Sequence, residues 1–253
     1  MRRKFECRAV KEWKMTMIES NPLGDILDFA VPAMPPLDLV LTGRTTRLEP
    51  LALRHAADLY TGFKGRDELW DYMSNGPFAT VEAFSSWIDG RIGKPDPMFL
   101  AICDIKTGRA LGVASFMRIV PNDGVIEVGG IAYSPALQGT IIATEAMYLM
   151  MRWAFDAGYR RYEWKCHAMN RPSRRAAQRL GFSYEGTFRQ HMIIKGRNRD
   201  TAWFSILDSE WPKLKKAFET WLSPSNFDAE GRQKINLSEL TATLLTARDS
   251  ALG

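Results

Sequence analysis

The spacing of apolar residues divides the chain into an irregular beginning, a strongly patterned middle and a short irregular end. Residues 1–40 hold Asn-Pro-Leu-Gly and Val-Pro-Ala-Met-Pro-Pro with little periodicity, and their prolines favour an extended arm. Thr45–Leu48 reads as a short strand. Leu51–Phe63, Asp67–Met73 and Val81–Ile92 read as helices, the last with Phe84, Trp87, Ile88 and Ile92 on one side. Met98–Asp104, Ala110–Ile119 and Val125–Ser134 are strand-like runs. They are separated by Lys106-Thr107-Gly108 and Pro121-Asn122-Asp123-Gly124, which predicts an antiparallel meander. The period then changes. Ala143–Ala157 carries Ala146, Leu149, Met150, Trp153 and Ala154 at helical spacing, and Gly158 sits where a left-handed C-cap belongs. Arg161–His167 alternates, with Tyr162, Trp164 and Cys166 on one face. Pro172–Arg179 is a helix with proline in its first turn, closed by Gly181. Ser183–Ile194 and Thr201–Leu207 are strands joined by Lys195–Asp200. Trp211–Leu222 is a terminal helix, and Leu237–Ala247 offers one more helix in a tail over 223–253. This order predicts an α+β fold: a mixed, mostly antiparallel sheet with helices on both faces. The helix from Ala143 is a right-handed crossover between two parallel strands. Three regions follow: an arm (1–40), a core domain (41–222) and a tail (223–253).

Composition narrows the class. The 253 residues are 45% hydrophobic and 25% charged, ordinary values for a globular protein. No apolar run approaches the roughly 20 residues that span a bilayer, so no membrane partner is expected. The basic start, with Arg2, Arg3, Lys4, Arg8 and Lys14, lacks the apolar stretch of a secretory signal. Glu6, Glu12 and the absence of serine there speak against a transit peptide, and Met15 or Met17 is an alternative start. Cys7, Cys103 and Cys166 are far apart, which argues against a disulfide framework or a zinc site. Reduced thiols and a cytoplasmic location are the default expectation, with no metal. Lys plus Arg exceeds Asp plus Glu by 34 − 29 = 5. These cations are spread out apart from Arg171, Arg174, Arg175 and Arg179, and without a motif no nucleic-acid partner is expected. Oligomeric state stays open, a homodimer included.

The chemistry concentrates in Ser134–Ala146, where a strand ends, a turn follows and a long helix begins. Unpaired N–H groups at a helix start make an anion site. Gly139 lets a phosphate approach the backbone, and Thr140 and Thr144 offer hydroxyls. Gln138-Gly139-Thr140-Ile141-Ile142-Ala143-Thr144-Glu145-Ala146 resembles the acetyl-CoA pyrophosphate loop of the GNAT superfamily. Its Ala-Thr-Glu-Ala ending is similar to the RimJ/RimL-like branch, the ribosomal-protein N-terminal acetyltransferase type. Asn170-Arg171-Pro172-Ser173, Leu180-Gly181-Phe182 and Glu185-Gly186 resemble that branch's second signature. Leu41–Leu51 and Val125–Gly129 are similar to its first and fourth strands.

The resemblance implies a GNAT fold and transfer of an acetyl group from acetyl-CoA to a primary amine, either a protein N-terminus or a small amine or amino acid. The alternative is a non-catalytic module that holds acyl-CoA. Backbone N–H groups at Ala132, Tyr133 and Ser134 would pair with the pantetheine arm and polarise the acetyl carbonyl. Gln138 to Thr144 would hold the pyrophosphate, and Asn170 the pantetheine amides. Ser173 would be the acid near the sulfur, against its other reading as an ordinary first-turn residue. Arg174, Arg175 and Arg179 would meet the 3′-phosphate, against a solvated helix face. Trp70 and Tyr72 would line the acceptor pocket, against core packing. Two positions depart from the pattern. Ile141 replaces a glycine, where a branched residue resists positive φ, and Met192 replaces a glutamate base. His191, Glu127 and Tyr133 are the substitutes for that base, each with an alternative structural reading.

Overall fold

The computed structural model describes residues 24–252. Arg2–Lys14, Cys7, Met15 and Met17 lie outside the described residues. Val31–Gly253 forms one compact unit. Residues 31–40 and the tail both fall within that unit.

Eight strands form one sheet: β1 (Leu41–Thr42), β2 (Thr46–Pro50), β3 (Met98–Asp104), β4 (Ala110–Val120), β5 (Val125–Tyr133), β6 (Arg161–His167), β7 (Ser183–Ile194) and β8 (Arg197–Leu207). Their spatial order is β1-β2-β3-β4-β5-β6-β8-β7, antiparallel except between β5 and β6. Helices α1 (Ala56–Phe63) and α2 (Val81–Asp89) cover one face. The other carries α3 (Ile141–Asp156), α4 (Arg171–Arg179) and α5 (Trp211–Leu222), and the short α6 (Leu237–Thr241) follows in the tail. Alternation along each strand builds both cores at once. In β3, Leu100 and Ile102 join the α3 side, while Phe99, Ala101 and Cys103 join the α1–α2 side.

Several predicted elements shift. The helix predicted over Asp67–Met73 is a 3-10 helix and covers only Asp67–Trp70. β8 begins at Arg197 because Lys195 and Gly196 both take positive φ, +51° and +71°, closing a two-residue hairpin turn matched to strand twist. The long helix starts at Ile141. The tail is anchored: Leu237 is buried, Trp221 Nε1 donates to Gln233 Oε1, and the Thr241 hydroxyl donates to Arg179 O.

Two features open the sheet. β5 and β6 pair only from Val125–Arg161 to Val128–Trp164, and beyond that point they splay apart. At the start of the splay, β4 and β5 lose register between Val113 and Ser115, where Gly130 takes φ +59°. A side chain there would also stand 2.8 Å from the Phe99 ring, so glycine alone permits the bulge.

Candidate active site

The splay is the floor of a continuous cleft of about 1890 Å³. One end is the turn before α3. Gly139 has φ +72°, and Thr140 caps the helix, its hydroxyl oxygen accepting from Ala143 N at 3.2 Å while donating to Leu137 O at 2.7 Å. The N–H groups of Gly139, Ile141 and Ile142 find no partner among the described residues. Ile141 is the first residue of α3 and does not take positive φ, so the strain expected of a branched residue does not arise. Its side chain, with that of Ile142, packs against the main core. Gln138 Nε2 donates to Tyr133 O at 3.1 Å, tying the turn to the strand end. Glu145 is structural: its carboxylate accepts from the main-chain N–H groups of Arg44, Thr45 and Thr46, holding the β1–β2 turn at the cleft mouth.

The strand edge offers fewer amides than expected. Ser134 N donates to Leu111 O at 3.0 Å, so that amide faces β4, and Ser134 does not line the cleft. Ala132 stands opposite Val113 two residues earlier, on the same side of the ladder. Alternation then turns the N–H groups of Ile131 and Tyr133 toward the splay. Ile131 escaped sequence reasoning because the bulge shifts the register. The Tyr133 phenol packs on the α3 face, enclosed and without a partner among the described residues. Burial drives its pKa far above the ordinary range, so it holds its proton.

On α4, Asn170 is the N-cap, its Oδ1 accepting from Ser173 N, and both residues line the cleft. Ser173 Oγ accepts from Trp164 Nε1 at 3.1 Å and keeps its own proton to donate. Arg175 and Arg179 line the cleft. Arg179 Nη2 reaches Thr144 Oγ1 at 3.2 Å, and desolvation lowers the Arg179 pKa with no carboxylate beside it. Arg174 is different. It is buried in a bidentate pair with Asp249, Nε–Oδ2 2.6 Å and Nη2–Oδ1 2.5 Å, and does not line the cleft. The expectation that it meets a phosphate is corrected: a guanidinium with a fully buried carboxylate of its own has no free donor face.

The opposite side of the splay carries Glu127, Lys165, His167, Arg199 and Thr201 on the α1–α2 face of the sheet, since their strand neighbours Ile126, Val128, Trp164 and Cys166 point into the main core. The Glu127 side chain is 5% exposed, with Lys165 Nζ 3.0 Å and Arg118 Nε 3.2 Å from Oε2. Both cations form ion pairs with this one buried oxygen, on the wall of the cleft. Desolvation raises the Glu127 pKa, and the two cations pull it only part of the way back. Lys165 also pairs with Glu163 at 2.7 Å and lies 3.7 Å from the Trp203 ring centroid. Its place was readable from the alternation of Arg161–His167, opposite Trp164 and Cys166.

His191 lines the cleft and pairs with Thr201 Oγ1 at 2.9 Å. Desolvation lowers its pKa, which keeps the ring neutral. Tyr72 lines it too, its ring 5.1 Å from that of His167, and Met192 stands nearby. Trp70 does not. It is 2% exposed, packed against Phe63, Phe78, Phe84 and Trp87, and the core-packing reading replaces the substrate-binding one. Cys166 borders the cleft, but burial holds its thiol up at about 11, so it is no nucleophile. Away from the cleft, Glu49, His55 and Cys103 bring ligand-type atoms within 4.8 Å of one another. There His55 Nδ1 accepts from Ala52 N and Nε2 faces Glu49 Oε1 at 2.9 Å, so both ring nitrogens are already engaged.

A family model described as an acetyltransferase (GNAT) domain matches residues 46–183, more than half of the chain. The chain belongs to the GNAT acetyltransferase family. Among solved structures, a GCN5-related N-acetyltransferase from Brucella melitensis is 45% identical, with TM-score 0.82 over 85% of this chain and 99% of that one. A GNAT-family protein from Chromobacterium violaceum is 39% identical, with TM-score 0.71 over 76% of this chain and 98% of the other. The Salmonella typhimurium enzyme that modifies the N-terminal serine of ribosomal protein L7/L12 is 20% identical over 67% of this chain and 99% of that one, with TM-score 0.57. That likeness shows the GNAT fold alone. No curated protein matches the sequence. Among the described residues, no helix is long and apolar enough to cross a membrane.

Proposed function

We propose that this GNAT protein moves an acetyl group from acetyl-CoA to a primary amine by direct attack, and that it lies near the RimJ/RimL-like branch. The observation that carries the reading is the buried carboxylate of Glu127 on the wall of the splay, its pKa raised by desolvation. The residues fit acetyl-CoA. Unpaired amides at the start of α3 and the cations Arg175 and Arg179 suit its phosphates, and the Asn170 side chain suits its pantetheine amides. When bound, it supplies the activated acetyl thioester.

The attacking group must lose a proton before its nitrogen can bond to carbon. Glu127 accepts that proton, directly or through a water, and its raised pKa makes it a better base than an exposed carboxylate. The main-chain N–H of Tyr133 donates to the acetyl oxygen as charge develops there. As the C–N bond forms, the C–S bond breaks, and the nitrogen gives up its second proton, which the departing sulfur takes up. The leaving thiol has a pKa of about 8.5, and the Ser173 hydroxyl donates a hydrogen bond to the sulfur and relays that proton to it. No covalent acyl-enzyme is required. His191 and Tyr72 stand on the acceptor side of the cleft, and the acceptor is a small amine, an amino acid or a protein N-terminus.

Release of free CoA thiol from acetyl-CoA in the presence of an amine panel tests this reading. Turnover with at least one amine, lost in Glu127→Gln, is the expected result. Tight acetyl-CoA binding with no thiol release across the panel would leave a non-catalytic acyl-CoA-binding module in its place.

A further inference from the structure

The acceptor side of the cleft holds an unusual set of unsatisfied groups. Three carboxylates line the whole cleft. Glu68 is held by Arg66 at 2.5 Å, Asp104 accepts from Lys106 N and the Thr107 hydroxyl, and Glu127 is paired with Lys165 and Arg118. None of them forms an ion pair with Arg91 or Arg199, which line the same cleft. Among the described residues the buried Nε atoms of both arginines have no hydrogen-bond partner. Desolvation lowers the pKa of each guanidinium.

Both arginines are set in place. Arg91 Nη1 donates to Trp87 O at 2.7 Å, and its guanidinium lies over the Trp87 ring at 4.1 Å and near Phe99 at 5.6 Å. Phe99 in turn packs against the Gly130 bulge at the head of the splay. Arg199 faces Met192 across the β7–β8 ladder, on the same sheet face as Lys165 and Thr201. Neither is on the α3–α4 side, where the phosphate-binding groups stand. One neutral acceptor shares the cleft: Asn75 Oδ1 is buried without a donor among the described residues. Native proteins leave few buried polar atoms unpaired, and each unpaired group costs its desolvation. Here the orphans are two cationic donors and one neutral acceptor, and the Glu127 carboxylate lines the same cleft. A ligand that suits this set presents an N–H donor at one point and an anionic acceptor at another.

We propose that the acceptor is a zwitterionic amine, one that carries a carboxylate or phosphate close to its primary amino group, and that Arg199, assisted by Arg91, binds the anionic group while the amine faces Glu127. This rests on the acetyl-transfer reading given above. Guanidinium forks recognise both anions bidentately. Leu69, Met73, Met117 and Ile194 supply an apolar lining for the acceptor's remaining body. A neutral amine of the same shape leaves both guanidinium groups desolvated and unpaired, so it binds less well.

The experiment compares matched pairs by CoA-thiol release: L-leucine and L-methionine against their amides, and 2-aminoethyl phosphate against ethanolamine. The wild type should favour the anionic member of a pair by about 10- to 100-fold in kcat/KM, the range of a charged hydrogen bond. Arg199→Met should erase that preference through KM for the anionic acceptor, Arg199→Lys should restore part of it, and KM for acetyl-CoA should stay unchanged. The carboxylate and phosphate arms tell which anion the site prefers. Equal turnover of anionic and neutral partners by the wild type overturns this proposal and leaves acetyl transfer standing. If no amine releases thiol, the acetyl-transfer reading itself fails. Calorimetric titration of L-leucine and its amide into the CoA-saturated protein then decides the anion site, equal affinity refuting it. An Arg199 variant that no longer binds acetyl-CoA is set aside, and the wild-type pairs decide alone.

Discussion

Replacing Asp249 by asparagine isolates the charge of Arg174. The Asp249 side chain is fully buried and that of Arg174 is 8% exposed. The two share a bidentate pair, and Arg174 Nη1 also donates to Ala168 O at 2.6 Å. Asp249→Asn keeps the shape and one accepting oxygen, but it turns the other oxygen into an NH2 donor facing the guanidinium and removes the counter-charge. Breaking one side of a buried pair costs about 3–5 kcal/mol. At roughly 2–4 °C per kcal/mol for a chain of this size, melting falls by about 6–20 °C. Local detachment of the segment that carries Asp249 caps the loss by letting water reach Arg174. Thermal and urea unfolding of Asp249→Asn, Arg174→Met and the double variant measure this. The double variant should lose less than the sum of the singles, because neither isolated charge then remains. The same proteins test the phosphate reading. The ratio of KM for 3′-dephospho acetyl-CoA to KM for acetyl-CoA should hold in Arg174→Met and fall toward one in Arg175→Met or Arg179→Met. Loss of that ratio in Arg174→Met with unfolding unchanged would refute the reasoning.

Glu127→Gln should lower amine turnover by about 10²- to 10⁴-fold while acetyl-CoA binding by calorimetry is unchanged; full retention of rate sinks its role as base. Lys165→Met removes a cation that favours the Glu127 carboxylate, so the carboxyl pKa rises. The base works only when deprotonated, so the acidic limb of the kcat/KM profile moves to higher pH, and a limb that stays put or moves down contradicts the pairing. Gly139→Ala meets no atom within 4 Å, so its cost is conformational: φ +72° in an alanine should lower stability by roughly 1–2 kcal/mol, and an unchanged unfolding midpoint argues against that backbone geometry.

The sequence by itself determined the order and type of nearly all elements. It also located the candidate anion-binding turn Gln138–Thr144 with Asn170 and Ser173 beside the same cleft. These depend on backbone period, caps and glycine positions, which are properties of neighbouring residues. It identified Glu127 as one of three candidates but could not rank it. Its raised pKa depends on burial, set against the ion pairs with Lys165 of β6 and Arg118 of β4. Tertiary structure alone decided the rest. Arg174 and Arg179 share one helix and one residue type, yet Asp249, 75 residues away in sequence, engages one and leaves the other facing the cleft. Trp70 and Tyr72 are two residues apart, yet a 3-10 turn sends one ring into the aromatic core and the other toward the cleft. Ile141 looked strained only while its φ was unknown. The α1–α2 side of the cleft with Arg91 and Arg199 was invisible, because whether an arginine is paired depends on which chain segments the fold brings against it. Local periodicity follows from covalent geometry, whereas the partner of a buried charge is set only when distant segments close around it.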